Sequence, residues 1–150
     1  MIKKNIVILS LIIFLANCGF TPIYLKNKNV NFTIEQISYS GDRQLNNFLK
    51  TNFNQYKNKD VENKINIEVK SDYNKIVLSK DGTGAVTNYE LIAEVMFVIK
   101  PSNREIKISE KKIMESMADK LEEAKYEKSI KQSFASSIAY KLVSELITYK

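Results

Sequence analysis

The chain has 150 residues, 44% of them hydrophobic and 27% charged, with a formal charge of +6. That balance excludes a disordered chain, and the length suffices for one domain with a real core. There is no histidine and only one cysteine, which removes the usual general base, the commonest metal ligand and any internal disulfide. Arginine occurs only at Arg43 and Arg104, and the lysines are spread over every segment. A nucleic-acid reader clusters arginines for bidentate contacts, so no nucleic-acid partner is expected, and compositional bias explains the lysine content.

The first segment reads as a targeting signal. Lys3 and Lys4 make a basic start, and Ile6 to Leu15 is apolar except for Ser10. A basic n-region, an apolar h-region of about ten residues and small residues before a cut describe a secretory signal. It ends on Cys18, the only cysteine, which makes it a bacterial lipoprotein signal. The Cys18 thiol would be S-acylated, the bond before it cut, and the new amino group acylated in turn. Leu15 and Ala16 suit this chemistry, whereas Asn17 stands where a smaller residue is usual. An ordinary cleaved signal or an uncleaved anchor is the alternative. A membrane span needs about 20 apolar residues, roughly twice this run. Gly19, where an aspartate would argue for inner-membrane retention, favours the outer membrane. Without Lys3 and Lys4, 21 cations face 17 anions, so the mature chain carries +4.

Residues 1–17 are thus expected to be the signal, 18–29 the lipidated N-terminus and linker, and 30–150 a single domain. Val30, Phe32 and Ile34 alternate, and Ile37 and Tyr39 resume one residue out of phase. That predicts a strand with a bulge at Glu35-Gln36. Ser40-Gly41-Asp42 makes a turn, with Asp42 as N-cap. Leu45, Phe48, Leu49, Asn52, Phe53 and Tyr56 follow at helical spacing, predicting a helix from Arg43 to Tyr56.

Ile65, Ile67 and Val69 alternate with polar residues, and the strand continues to Leu78 with a twist or bulge near Asn74. Asp81-Gly82 is the strongest hairpin signal in the chain. The return strand, Ala85 to Ile99, places Tyr89, Leu91, Ala93, Val95, Phe97 and Ile99 on one face. After Pro101-Ser102-Asn103, a further strand runs from Ile106 towards Met117. Asp119 to Lys128 is charged and reads ambiguously. From Tyr126 onward Ile130, Phe134, Ile138, Leu142 and Leu146 step by fours, and no Gly or Pro follows Pro101, so a long helix ends the chain. The expected fold class is α+β: two helices packed on one face of a four-stranded, mostly antiparallel sheet, in the order β-α-β-β-β-α.

No constellation in the sequence carries chemistry. Asp81-Gly82-Thr83-Gly84 lacks phosphate-loop spacing and lies between strands, so it is a turn. Glu122, Glu123 and Glu127 are interleaved with lysines and read as a solvated helix start. Ser129, Ser133, Ser136 and Ser137 have no histidine to activate them. The apolar stripe of the last helix, and Tyr39, Tyr73 and Tyr89, read as packing. No catalytic residue, cofactor or metal is expected.

One stretch carries a resemblance. Cys18-Gly19-Phe20-Thr21-Pro22-Ile23-Tyr24 resembles the Cys-Gly-Phe-x-Pro-Leu-Tyr start of the mature LPS-assembly lipoproteins (the LptE family) of alphaproteobacteria. Gly41-Asp42-Arg43 opening a helix, a strand pair around Asp81-Gly82-Thr83 and a long final helix follow that family's order. The resemblance implies a lipid-anchored protein on the periplasmic side of the outer membrane. It implies a non-catalytic plug inside an outer-membrane β-barrel LPS-assembly protein, assisting barrel assembly and delivery of lipopolysaccharide to the cell surface. Cys18 is the one residue carried over, as the lipidation site. From another class, a free periplasm-facing lipoprotein binding a small ligand or a cell-wall component is the competing reading.

Overall fold

The computed structural model describes residues 30–57 and 60–148. The expected signal, Cys18 and the expected linker lie outside these residues. Within them the order is β1 (Thr33–Gly41), α1 (Arg43–Phe53), a single 3-10 turn (Asn54–Tyr56), β2 (Lys64–Lys80), β3 (Val86–Lys100), β4 (Arg104–Glu115) and α2 (Lys120–Thr148). The strands form one sheet in the order β1-β2-β3-β4. β1 and β2 are parallel, and the other two pairings are antiparallel. Two helices on a four-stranded mixed sheet make the α+β fold expected from periodicity.

The parallel pairing follows from the helix between the first two strands, since parallel neighbours need a crossover. β1 leaves the sheet at Gly41, which has φ +93°. A Cβ placed there would collide with the Ser71 carbonyl on β2, so only glycine lets the two backbones approach this closely. Asp42 then caps α1, its Oδ1 accepting from the Leu45 amide at 2.6 Å. The Asp42 amide itself donates to the Ser71 carbonyl at 3.1 Å. Ser71 Oγ, on the same residue of β2, donates to the carbonyls of Ser40 and Asp42. Asn46, buried one turn into the helix, donates to Ser40 O at 3.0 Å. Sheet, turn and helix start are therefore tied at one corner.

The core lies between the sheet and the two helices. Leu45, Leu49 and Phe53 of α1 and Ile130, Phe134, Ile138 and Leu142 of α2 meet Ile67, Val69, Leu91, Ala93, Val95 and Phe97 of the sheet. Phe53 meets Phe97 edge-on, with ring centroids 6.0 Å apart at 88°, a preferred aromatic geometry. Val30, Phe32 and Ile34 are all buried, and Phe32 stacks on Tyr56. The chain therefore joins the core three residues before the first strand begins.

Four boundaries differ from the sequence reading. The β1 bulge lies at Ile34/Gln36 as expected, but the β2 irregularity is at Leu78, between Val77 and Ser79, and not at Asn74. Asn74 stays in regular register opposite Ile92. β4 ends at Glu115, two residues short of Met117, with the Ser116 amide making one more bond towards β3, to Thr87 O. The last three residues expected in α1 form the 3-10 turn. α2 starts six residues earlier than Tyr126, at Lys120, where Asp119 Oδ1 accepts from the Leu121 and Glu122 amides and Glu122 and Glu123 favour the first turn.

The Gly41 corner yields a test. Gly41→Ala forces both an unfavourable φ and a backbone clash, and is expected to lower stability by about 2–4 kcal/mol. Urea unfolding of the two proteins measures it, and a loss below about 1 kcal/mol would show that the corner relaxes freely.

Candidate functional site

Among the described residues, no group of three or more His, Cys, Asp or Glu side chains is placed to hold a metal ion. An open groove of about 660 Å³ runs beside α2. Its lining is Ser133, Ser137, Gln132, Tyr140 and the lysines of β4 with neighbouring polar groups. Ser137 Oγ donates to Glu110 at 2.6 Å, and Glu110 also pairs with Lys141 at 2.7 Å. A serine whose proton goes to an ion-paired glutamate is not activated as a nucleophile. Cys18, the one site residue expected from the sequence, lies outside the described residues.

The concentration of charge is elsewhere, where the sheet meets the start of α2. Lys75 of β2 donates to Glu123 Oε1 at 3.0 Å and to Glu127 Oε2 at 2.9 Å. Tyr73 OH donates to Glu127 Oε1 at 2.9 Å. Lys131 lies 3.6 Å from the Tyr73 ring centroid and 3.5 Å from Asp42 Oδ2, the N-cap of α1. Lys75 also stands over the Tyr89 ring at 4.1 Å. One connected set of charges thus joins β2, β3, α2 and the corner that opens α1.

Glu123 is its centre. The residue is only 5% exposed, and its Oε2 accepts from the Met117 amide, Lys120 Nζ and Ser116 Oγ at 2.9–3.2 Å. The Met117 amide foremost, then Lys120 and Lys75, pull its carboxyl down from 4.5 to about 2. For Lys75, burial works against the charge, but its hydrogen bonds to Glu127 and Glu123 outweigh it and hold the ammonium above its ordinary value. Burial first, then the Glu127 hydrogen bond, pushes the Tyr73 phenol well up. These shifts keep Lys75 cationic, Glu123 anionic and Tyr73 neutral near neutral pH. Such a cluster positions elements; it has no group poised to exchange a proton.

This corrects the solvated reading of Glu123 and Glu127. Only Glu122 of the three is fully exposed. A signal was present: Ala135, Ala139 and Val143 step by fours, and the same row extends back through Lys131, Glu127 and Glu123. Tyr73 and Tyr89 likewise do more than pack, since each ring carries a lysine. Tyr39 is packing, with its phenol pushed up to about 12 by burial.

The face of the sheet away from the helices is mixed. Lys70, Met96 and Lys107 form one row across β2, β3 and β4, and Glu68, Val98 and Glu105 the next. Lys100 pairs with Glu68 and Lys107 with Glu94, exposed pairs worth at most about 1 kcal/mol each. An open depression of about 540 Å³ lies at its β1–β2 end, lined by Gln36, Ser38, Asn66, Glu68 and Lys100.

The architecture has known counterparts. The rare lipoprotein B of Shewanella oneidensis is similar over 76% of this chain and 95% of its own, at 17% identity and a TM-score of 0.57. An uncharacterized lipoprotein B of Nitrosomonas europaea matches 76% of this chain and 83% of its own, at 17% identity and a TM-score of 0.53. A minor lipoprotein of Acinetobacter baumannii matches 75% and 90%, at 13% identity and a TM-score of 0.52. This chain shares their fold. No protein-family model matches it, and neither does any curated protein. At such identities the likeness concerns architecture, since a fold alone does not fix function. No helix among the described residues is long and apolar enough to cross a membrane.

The charge cluster predicts a pH effect. The carboxyl of Glu123 titrates lower folded than unfolded, so its contribution is complete above about pH 4.5 and is lost as pH falls towards 2. Glu123→Gln is expected to cost about 2–4 kcal/mol at pH 7, because Lys75 and the Met117 amide lose a buried anion. Urea unfolding should show the gap between the two proteins closing between pH 4.5 and 2; a gap that stays constant there would rule out the carboxylate as its source.

Proposed function

We propose that this chain is an outer-membrane lipoprotein of the LPS-assembly type, of the kind found in alphaproteobacteria. It acts as a non-catalytic plug and assembly subunit of a β-barrel translocon that delivers lipopolysaccharide to the cell surface. The observation that carries the reading is the fold shared with three solved lipoproteins, borne by a chain whose expected signal is followed by Cys18-Gly19-Phe20-Thr21-Pro22-Ile23-Tyr24. The charge cluster supports it, because its groups fix elements and none is arranged to turn over a substrate. A subunit that works by shape needs a rigid body, and the tied corner and the cluster supply one.

Two experiments test the proposal. Depleting the protein should lower the amount of correctly assembled barrel and of surface lipopolysaccharide; unchanged levels of both would sink it. Affinity purification of the full-length protein from membranes should recover the barrel. Anchoring has its own test. Three acyl chains on Cys18 hold a protein stably, where one gives only marginal binding. Cys18→Ala is therefore expected to leave the protein unprocessed and absent from the outer-membrane fraction. A processed outer-membrane protein without Cys18 would refute the lipidation site.

A further inference from the structure

β2 is longer than its neighbour on one side. β1 pairs with it from Lys64 to Ser71 and leaves at Gly41, whereas β2 runs on, paired to β3, as far as Lys80. Among the described residues, no strand pairs with the outer edge of β2 from Asp72 to Lys80. α1 turns back at Gly41, and the chain after it returns to Lys57, which bridges to Ile34 near the start of β1. That helix therefore runs beside β1 and away from the free stretch. The Ser71 carbonyl is turned to this edge, where the Asp42 amide donates to it. Strand alternation points the N–H and C=O groups of Tyr73, Lys75 and Val77 the same way.

The stretch is apolar as well as bare. Ile76, Val77 and Leu78 are 48%, 46% and 51% exposed on it. Lysines blunt a sheet edge against strand addition, and β4 carries three on the opposite edge. Lys75, midway along the free stretch of β2, is instead drawn in to Glu123 and Glu127. The bulge at Leu78 leaves Tyr73 to Val77 in regular register. Unpaired backbone groups beside exposed apolar side chains form a template for another strand.

The order of residues along the edge selects the strand that fits it. A second copy brought up about a two-fold axis pairs β2 with β2 in antiparallel sense. Because β1 fills the edge up to Ser71 in each copy, the register that uses the whole free stretch centres on Ile76. Ile76 then faces its own counterpart, and Lys75 exchanges backbone bonds with Val77 of the second copy. At both ends Asp72 falls opposite Lys80, an attractive cross-strand pair. Centring on Lys75 would oppose two lysines and run Lys80 into the edge that β1 occupies. Centring on Val77 would leave Asp72 and Lys80 without each other. The edge is thus complementary to itself in charge and in length.

We propose that the free edge of β2 pairs with the same edge of a second copy, joining two four-stranded sheets into one of eight strands. The inference stands apart from the function proposed above. The contact is short, so the dimer is weak and reversible, as interfaces below about 1,200 Å² are. Ile76 on the axis gives the test. Directly opposed residues of a pair without mutual hydrogen bonds have Cα atoms about 4.5 Å apart, within disulfide reach. Ile76→Cys in the full-length protein, in membranes treated with a mild oxidant, should therefore give a disulfide-linked dimer. The two copies of position 74 are offset by about 13 Å along the strands, so Asn74→Cys should give at least about tenfold less. In sedimentation equilibrium of the detergent-solubilised protein, Asp72→Lys is expected to raise the dissociation constant at least about fivefold. Adding Lys80→Asp to it should restore the dimer. No linking of Ile76→Cys, equal linking of both cysteine variants, a charge swap that fails to restore association, or a wild type that sediments only as a monomer would each overturn the inference. All four substitutions fall on exposed residues and should melt close to the wild type; if Ile76→Cys does not, the charge swap decides.

Discussion

Lys75, held between Glu123 and Glu127, sets where the long helix sits on the sheet. Apolar packing alone does not. The stripe Ile130, Phe134, Ile138 and Leu142 repeats every turn, so a slip of α2 by one turn, about 5.4 Å, would lay similar side chains over the same strands. That slip would leave Lys75, Glu123 and Lys131 without their partners, at a cost of several kcal/mol. Buried ion pairs are weak sources of net stability, and their value lies in penalising the wrong arrangement.

The elements with a clean period were legible in the sequence. Leu91 to Ile99 alternates because one face is buried under helices, and the structure buries those same residues. Gly41-Asp42 announced its turn through residue types that only such a corner needs. What failed was reading through charge. Lys120 to Lys128 looked ambiguous because a local window treats Glu123 and Glu127 as solvent-facing, and their partner Lys75 lies 48 residues or more away in the chain. The bulge at Leu78 was misplaced for a related reason. A period-two pattern shows that a slip occurred, whereas the partner strand decides which residue is extra. Cys18 was expected as the lipidation site from its local pattern alone and lies outside the described residues.

The open face of the sheet was not built as a second core. Its rows alternate sign, with lysines around Met96 and glutamates around Val98, as suits an antiparallel sheet wetted on one side. β4 carries Lys107, Lys111 and Lys112 along an otherwise unpaired edge, a pattern that resists strand addition. The opposite edge differs: β1 leaves β2 at Ser71, and the stretch of β2 beyond it carries Ile76, Val77 and Leu78 exposed.

Sequence identity of 13–17% with the solved lipoproteins is what a shared burial pattern leaves when side chains have otherwise diverged. Such a pattern is satisfied by residues from Val30 to the end of α2 without Ile76, Val77 or Leu78, whose exposed side chains add little to the core. Among the described residues, the exposed stretch Ile76 to Leu78 is the part of β2 least needed for the core. Order without a folding role has to be maintained against the entropy it costs. The turn at Asp81 is nonetheless held, its carboxylate accepting from the Thr83 amide, the Thr83 hydroxyl and the Ala85 amide, so this end of the β2–β3 hairpin keeps its shape without help from the core.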